Sequence, residues 1–165
     1  MERNRTMNKK IISLILAATF AILPSGCGTR EPDYDPQISK ERMEYYESDL
    51  FAEYKTNHYK FRMPEYWKGK YAVESKLHRE DFYEINSYNK DESGLLFSVL
   101  EYEDNSYKND LKGKNYTYMC YDKRFDLNYI ILIPDEAVYP EEFKEQYDAL
   151  NNALSIIKAT FKAEL

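Results

Sequence analysis

Hydrophobic and polar residues alternate over several short stretches of the chain, which is the pattern of strands with one buried face. In one of them Tyr59, Phe61 and Met63 alternate with Lys60 and Arg62. Short turns join these stretches, so the strands are expected to pair largely antiparallel. The predicted strands are residues 50–55, 58–63, 71–75, 81–87, 95–102, 116–121 and 129–133, with a polar loop at 89–94.

The stretch 95–102 is the most apolar of the predicted strands. Its residues Leu95, Phe97 and Val99 would face one side, and Leu96 and Leu100 the other. A strand with apolar residues on both faces is typical of a central position. The sequence therefore predicts that this strand is covered on both sides.

The strongest periodic signal lies at the C-terminus, where large apolar residues recur at spacings of three and four. This spacing places them on one stripe of a helix. Such a stripe has to be buried, either on the sheet of the same domain or on a partner, and the sheet is the simpler surface. The stripe consists of Phe143, Tyr147, Leu150, Leu154, Ile157 and Phe161.

Together these patterns predict an α+β fold. We expect a single domain with a largely antiparallel sheet of about six strands. A long C-terminal amphipathic helix is expected to pack on one face of that sheet.

The N-terminus has the features of a secretion signal. Four basic residues between Arg3 and Lys10 precede thirteen uncharged residues from Ile11 to Leu23. This apolar stretch suits a signal peptide and is too short to span a bilayer, which takes about 20 residues. Translation from Met7 would also leave a sufficient basic region.

The segment Leu23-Pro24-Ser25-Gly26-Cys27 resembles a bacterial lipobox, in which the cysteine is lipidated and becomes the first residue of the mature protein. The sequence departs from the usual pattern because Pro24 stands where leucine is preferred, with Leu23 one residue earlier. The alternative is an ordinary signal peptide that contains a cysteine. Two acyl chains at about 0.8 kcal/mol per buried methylene would hold the chain firmly at a membrane surface.

We therefore expect three parts: a lipoprotein signal peptide at 1–26, the lipidated Cys27 with a flexible tether at 27–44, and a globular domain at 45–165. The tether is rich in charge and proline, and its reach is about 25 Å. The predicted localisation is the outer face of the cytoplasmic membrane. Lipidation of Cys27 would leave Cys120 without a disulfide partner, and we expect Cys120 to be a buried thiol.

A further resemblance concerns the domain itself. The run from Tyr59 to Trp67 contains Phe61, Met63, Pro64 and Trp67 in the F-x-[IM]-P-x-x-W spacing, and the segment 156–162 follows near the C-terminus. This layout is similar to that of PsbP-like domains found in small lipoproteins of Gram-positive bacteria. The resemblance implies a sheet flanked by helices and a non-catalytic accessory role, and it carries over no catalytic residue. The mid-sequence helix of such domains is reduced here to 105–111 at most, which would leave one sheet face less covered.

Composition excludes several functions. The 165 residues carry 23 basic and 29 acidic side chains, a net charge of −6, which argues against a nucleic-acid partner. Without residues 1–26 the net charge would be −9. Five glycines form neither a P-loop nor a dinucleotide-binding motif, so no cofactor is expected. Nucleophile motifs are also missing from the sequence.

Ionisable residues offer only weak candidates for a metal or catalytic site. His58 lies near a strand start, and His78 lies in a charged segment with Arg79, Glu80 and Asp81 that we interpret as a solvated turn. No metal site is predicted. Two groups of acidic and amide residues could supply oxygen ligands for calcium. Neither group has the spacing of an EF-hand, so exposed surface charge is the simpler interpretation. These groups are Glu101, Glu103, Asp104 and Asn105, and Asp122, Asp126 and Asn128.

The aromatic corner after Pro64 is the candidate for binding a ligand or partner. Tyr66, Trp67 and Tyr71 lie beside Lys68 and Lys70, and Trp67 is the only tryptophan. Exposed rings there would form a stacking platform for a sugar or peptide. Alternatively, Trp67 serves as a lid over the edge of the core.

These observations lead to a principal functional hypothesis and an alternative. The first is a non-catalytic, membrane-anchored extracytoplasmic lipoprotein that binds a protein or another envelope component. The alternative is an envelope glycan hydrolase that uses paired carboxylates. A two-lobed solute-binding subunit of a transporter does not fit into a domain of this size.

Overall fold

A computed structural model describes residues 40, 42 and 44–164, and this part of the chain has the predicted α+β fold. The signal peptide, Cys27 and nearly all of the tether lie outside the described residues. Eight strands are found in the described part: β1 Phe51–Lys55, β2 Tyr59–Pro64, β3 Tyr71–Lys76, β4 Arg79–Glu84, β5 Leu95–Tyr102, β6 Asn115–Asp122, β7 Leu127–Ile133 and β8 Lys162–Ala163. The helices that lie within the continuous described range are α1 Ile85–Asp91, α2 Tyr107–Asp110, α3 Lys144–Asn151 and α4 Leu154–Thr160, and residues 44–46 before β1 are also helical.

The strands form two antiparallel sheets, where the sequence suggested one sheet of about six. The small sheet has the order β1-β2-β8 and the large sheet the order β3-β4-β5-β7-β6. The two sheets separate at Pro64, where β2 ends and a 3-10 turn at Glu65–Trp67 leads into β3. Strand β8 has only two residues, so it is too short to give a period-two signal in the sequence.

The main core lies between the sheets and the C-terminal helices, and it is rich in aromatic rings. Phe82 of β4 and Phe97 of β5 are fully buried and stack with their centroids 4.4 Å apart. Phe61 of β2 packs edge-on against both of them. The alternation predicted for β2 is confirmed, because Tyr59, Phe61 and Met63 are all buried in this core.

Five of the six residues of the C-terminal stripe are buried as predicted, whereas Phe143 is only half-buried, and the helix is interrupted. Residues 141–143 form a 3-10 turn, α3 follows, and Asn152 and Ala153 separate α3 from α4. Ala153 and Ile156 each donate a backbone hydrogen bond three residues back, which tightens the chain at this break. The stripe keeps its phase across it, and Tyr147, Leu150 and Ile157 are almost fully buried.

The central strand β5 is covered on both faces, which confirms the sequence prediction. On the second face Leu100 packs with Ile130 of β7 and with Tyr107 and Leu111 at α2. Leu96, however, belongs to the main core together with Phe97. The pairing of β4 with β5 shifts between Phe82 and Tyr83 and leaves Leu96 without a partner, so this β-bulge breaks the simple alternation of faces.

The segment after β4 differs from the prediction, which extended the strand to residue 87 and placed a loop at 89–94. The chain instead enters α1 at Ile85. Glu84 caps this helix, because its carboxylate accepts hydrogen bonds from the backbone N–H groups of Asn86 and Ser87. The carboxylate is fully buried and also accepts from the Ser87 hydroxyl and the Gln146 amide.

Candidate functional site

A cleft of about 250 Å³ opens where the turn between β1 and β2 approaches the hairpin turn between β3 and β4. It thus joins the small sheet to the large one. Its lining is predominantly polar and contains both histidines of the chain. The ionisable and hydroxyl-bearing residues that line it beyond Thr56 are His58, Tyr59, Ser75, Lys76, His78, Arg79, Glu80 and Glu101.

The two histidines converge on one carboxylate, that of Glu101 near the end of β5. Nδ1 of His58 lies 3.1 Å from Oε1 of Glu101, and Nδ1 of His78 lies 3.5 Å from Oε2. Each imidazole therefore has its own carboxylate oxygen. The Glu101 side chain is only 16% exposed, whereas the two imidazoles are nearly half exposed at the cleft.

Local backbone structure fixes His58. Thr56 opens the turn between β1 and β2, and its hydroxyl accepts hydrogen bonds from the backbone N–H groups of His58 and Tyr59. The backbone N–H of Thr56 donates in turn to the carbonyl of Tyr59, 2.9 Å away. This closed turn presents the imidazole toward the cleft.

His78 is held by an unusual backbone conformation. It lies in the two-residue connection between Lys76 and Arg79, where its φ of 57° is in the left-handed region. A residue with a Cβ adopts that region at a cost of about 1–2 kcal/mol. The backbone N–H of Glu101 donates to the carbonyl of His78 over 3.0 Å, which ties this turn to β5.

Strand register explains which charged groups face the cleft. Ser75 pairs with Glu80, and Glu80 pairs with Val99. Because side chains alternate along a strand, Glu101 lies on the same face as Val99. Ser75, Glu80 and Glu101 thus share the cleft side of the large sheet.

Lys76 and Arg79 of this hairpin also line the cleft, but their charged ends lie on the reverse face with Asp81. Nε of Arg79 donates to Asp81 over 2.6 Å, and Nζ of Lys76 lies 3.4 Å from the same carboxylate. The Ser98 hydroxyl also donates to Asp81, which is only 1% exposed. The interpretation of residues 78–81 as a solvated turn is therefore wrong beyond His78, because Arg79 begins β4 and Asp81 is buried.

Glu80 accepts hydrogen bonds from three hydroxyl groups. The Tyr54 hydroxyl lies 3.0 Å from Oε2, the Ser75 hydroxyl 3.2 Å from Oε1, and the Tyr59 hydroxyl also donates to Oε2. Burial raises the pKa of Tyr54 and of Tyr59, and the neighbouring Glu80 charge raises both further. The two phenols therefore remain protonated donors, and they fix the carboxylate in the cleft wall.

Tyr129 of β7 lies directly opposite Glu101 in the sheet. Its ring packs against Tyr59, 5.6 Å between centroids, and the residue is fully buried. Its hydroxyl has no hydrogen-bond partner among the described residues. Burial raises its pKa, and the charge of Glu101 adds to this effect. The described residues thus leave a buried donor unsatisfied next to Glu101 in the sheet, although Tyr129 is not among the residues that line the cleft.

The structure places the predicted aromatic corner away from this cleft. Trp67 is fully buried in the main core, so its ring is no exposed stacking platform, and the alternative of a core lid is confirmed. Tyr71 is half-buried and contacts Trp67 and Phe82. Tyr66 is 48% exposed, and its hydroxyl donates to the carbonyl of Ala149.

Three of the carboxylates considered for calcium accept hydrogen bonds from protein groups. Asp122 accepts from Arg124, whose guanidinium holds the pKa of that carboxyl below its usual range. Asp104 accepts from the backbone N–H of Ser106, and Asp126 from the Tyr121 hydroxyl. Within the described residues, no group of three or more His, Cys, Asp or Glu side chains has the spacing of a metal site.

Cys120 of β6 is half-buried, less than the full burial that was expected, and it forms no disulfide among the described residues; partial burial raises its pKa. A raised pKa reduces the thiolate fraction on which cysteine reactivity depends. This environment agrees with a structural thiol. It gives no indication of a nucleophile.

The contacts that build the cleft were missed at the sequence level. His58, His78 and Glu101 were noted separately, but no short motif connects residues 43 and 23 positions apart. The signal that was available is that one histidine falls at the start of a predicted strand and the other in a predicted turn, so both lie at ends of strands. No helix among residues 40, 42 and 44–164 has the length and apolar character needed to cross a membrane. No protein-family model matches the chain, and no curated protein or solved structure matches it significantly.

Proposed function

We propose that this protein is a lipid-anchored extracytoplasmic lipoprotein whose domain binds a protein or another cell-envelope component without catalysing a reaction. The observation that carries the binding role is the cleft, whose polar walls are fixed before any ligand enters. Thr56 holds His58 in place, and three hydroxyls hold Glu80. Groups that are already positioned lose little entropy on binding, which favours recognition.

The anchor part of the proposal rests on the basic start, the apolar stretch and Cys27 in a lipobox-like segment. We expect radiolabelled palmitate to be incorporated into the full chain and lost in Cys27→Ser. Mass spectrometry of the native protein is expected to show a diacylated N-terminal cysteine. An unmodified thiol at that position would contradict the proposal.

The binding part is tested with the full chain purified in detergent and immobilised. Solubilised envelope is passed over the wild type, over Glu101→Gln and over Glu103→Gln. Glu103 is exposed and lies outside the cleft lining, so it controls for the loss of one negative charge. We expect the wild type and the control to retain the same envelope component and Glu101→Gln to lose it. Equal retention by all three would contradict a role for the cleft.

One observation favours the hydrolase alternative. Glu80 and Glu101 occupy diagonal positions on neighbouring strands, whose Cα atoms lie about 7–8 Å apart. Two carboxyl groups carried at that spacing can reach the separation of about 6.5–9.5 Å that inverting glycosidases use. Against it, Glu80 accepts hydrogen bonds from three hydroxyls and Glu101 contacts two imidazoles, so both carboxylates are already engaged by protein groups. Release of reducing ends from purified cell-wall glycan by the wild type, but not by Glu80→Gln, would favour hydrolysis over binding.

A further inference from the structure

We infer that the cleft binds a small organic cation, namely a primary ammonium group on a hydroxylated carbon chain. The inference rests on the proposed binding role of the cleft and specifies the ligand class. It is carried by the distribution of charge on the two faces of the β3–β4–β5 sheet. The cleft side has two carboxylates, whereas Lys76 and Arg79, which also line the cleft, have their charged ends bound to Asp81 on the reverse side.

Among the described residues, neither Glu80 nor Glu101 has a lysine or arginine within ion-pair distance. Glu80 is held by hydroxyls and Glu101 by two imidazoles. Hydroxyl donors stabilise a carboxylate but do not neutralise it. Two negative charges therefore face one concave space, where a low-dielectric wall concentrates their field.

The nearby basic side chains already form ion pairs with other carboxylates. Lys76 and Arg79 bind Asp81 on the reverse face. Arg124, close to His58 through the stacked ring of Phe125, binds Asp122. A positive charge on a ligand would balance the carboxylates of the cleft without breaking any of these ion pairs.

The lining also suits the remaining atoms of such a ligand. An ammonium group has three donors and needs acceptors, which Glu101 and the amide of Asn57 can supply. Asn57 and Ser75, which also line the cleft, offer an amide and a hydroxyl as hydrogen-bond partners for ligand hydroxyls. A ligand that combines an ammonium group with hydroxyls would use both kinds of group.

The size of the cleft sets the scale of the ligand. Its volume of about 250 Å³ corresponds to roughly eight water molecules at about 30 Å³ each. That space suits a molecule of about a dozen non-hydrogen atoms. It is too small for a folded partner, although one charged residue or sugar of a larger molecule would fit.

The test uses glucamine and sorbitol, which are the same size and differ by an ammonium group in place of a hydroxyl. Each is titrated into the full-length protein in detergent at pH 7.5 and followed by NMR. We expect wild type and Glu103→Gln to bind glucamine at least tenfold more tightly than sorbitol, and Glu101→Gln to lose at least tenfold in glucamine affinity.

Equal binding of glucamine and sorbitol by the wild type would overturn the ammonium inference, even if Glu101→Gln still lost the envelope component. Unchanged glucamine binding by Glu101→Gln would also overturn it, because the cation would then bind elsewhere. Loss of envelope retention with no binding of either compound would leave the proposed function standing and refute this ligand class. The comparison of the two compounds on the wild type does not depend on any variant folding.

Discussion

Nδ1 of His58 lies 3.1 Å from Oε1 of Glu101, although 43 residues separate the two along the chain. The contact links the turn of the small sheet to the central strand of the large sheet. His78 brings the β3–β4 turn to the other oxygen of the same carboxylate. One side chain of β5 therefore organises both turns that frame the cleft.

The first prediction concerns the backbone of His78, whose φ of 57° is favourable only for glycine. In His78→Gly we expect the free energy of unfolding to stay level or to rise by up to about 1 kcal/mol, because relief of the left-handed conformation offsets the lost imidazole contact. Retention of the envelope component is expected to fall. Chemical denaturation and the retention assay measure the two effects separately.

Glu92→Gly is the matched control for this variant. Glu92 has φ of 58° at the C-terminal end of α1 and lies outside the cleft lining. We expect a similar relief of backbone strain with retention unchanged. If both variants retain the envelope component equally, His78 has no part in binding.

The second prediction concerns Gly94, which has φ of 81° and packs against the start of α1. A Cβ there would lie 2.6 Å from Cβ of Ser87, which is buried beside the capping carboxylate of Glu84. Gly94→Ala is therefore expected to lower the free energy of unfolding by about 2–4 kcal/mol. Urea denaturation measures the change.

Gly113 provides the control because it has the same φ of 81° and no atom within 4 Å of an added Cβ. Gly113→Ala is expected to lower the free energy of unfolding by about 1–2 kcal/mol, because only the cost of the left-handed backbone conformation applies. Equal losses in the two variants would show that the close approach of Gly94 to Ser87 does not constrain the domain.

The third prediction concerns acid. Arg124 lowers the pKa of Asp122 in the folded domain, so the folded state binds a proton at Asp122 less readily than the unfolded state. The Asp122–Arg124 pair contributes its full stabilisation above about pH 4, the ordinary pKa of aspartate. This stabilisation is lost as the pH falls through the lowered pKa of Asp122 in the folded state. We expect the free energy of unfolding to fall below about pH 4, and to fall less steeply in Asp122→Asn. Identical slopes for wild type and variant between pH 5 and pH 2.5 would contradict this role.

The fourth prediction concerns Ile157, which is fully buried in α4 at the centre of the C-terminal stripe. Ile157→Ala is expected to lower the free energy of unfolding by about 2–5 kcal/mol, through lost burial and the cavity left behind. Ser155→Ala on the exposed face of the same helix is expected to change it by less than about 0.5 kcal/mol. A small effect at Ile157 would mean that the stripe is not an integral part of the core.

The sequence predicted those features that depend on local periodicity. The stripe through Tyr147 and Ile157 and the alternation at Phe61 were found as expected, because a repeating pattern of burial leaves a repeating pattern of residue types. The bulge at Leu96 was missed because a single extra residue in a ladder has no periodic signature. Helix α1 was missed because its start depends on a cap by Glu84, a residue that is uncommon at such positions.

The candidate site was less accessible to sequence reasoning than the fold. Trp67 was a candidate for ligand binding because it is the only tryptophan and follows a proline corner. A side chain of this size is more often buried in a small domain, and Trp67 is buried here. The cleft depends on the register that places Glu80 opposite Val99 and brings Glu101 onto the same face. Register is set by tertiary pairing, so the meeting of His58, His78 and Glu101 has no local signal.

The most direct test of the account is retention of envelope material by the full-length, lipidated protein and by its Glu101→Gln variant, with Glu103→Gln as control. Circular dichroism and urea denaturation first establish that the three proteins fold alike. We predict that one component binds the wild type and the control and is lost from Glu101→Gln. Retention of that component by Glu101→Gln at the wild-type level would contradict the claim that the cleft is the binding site.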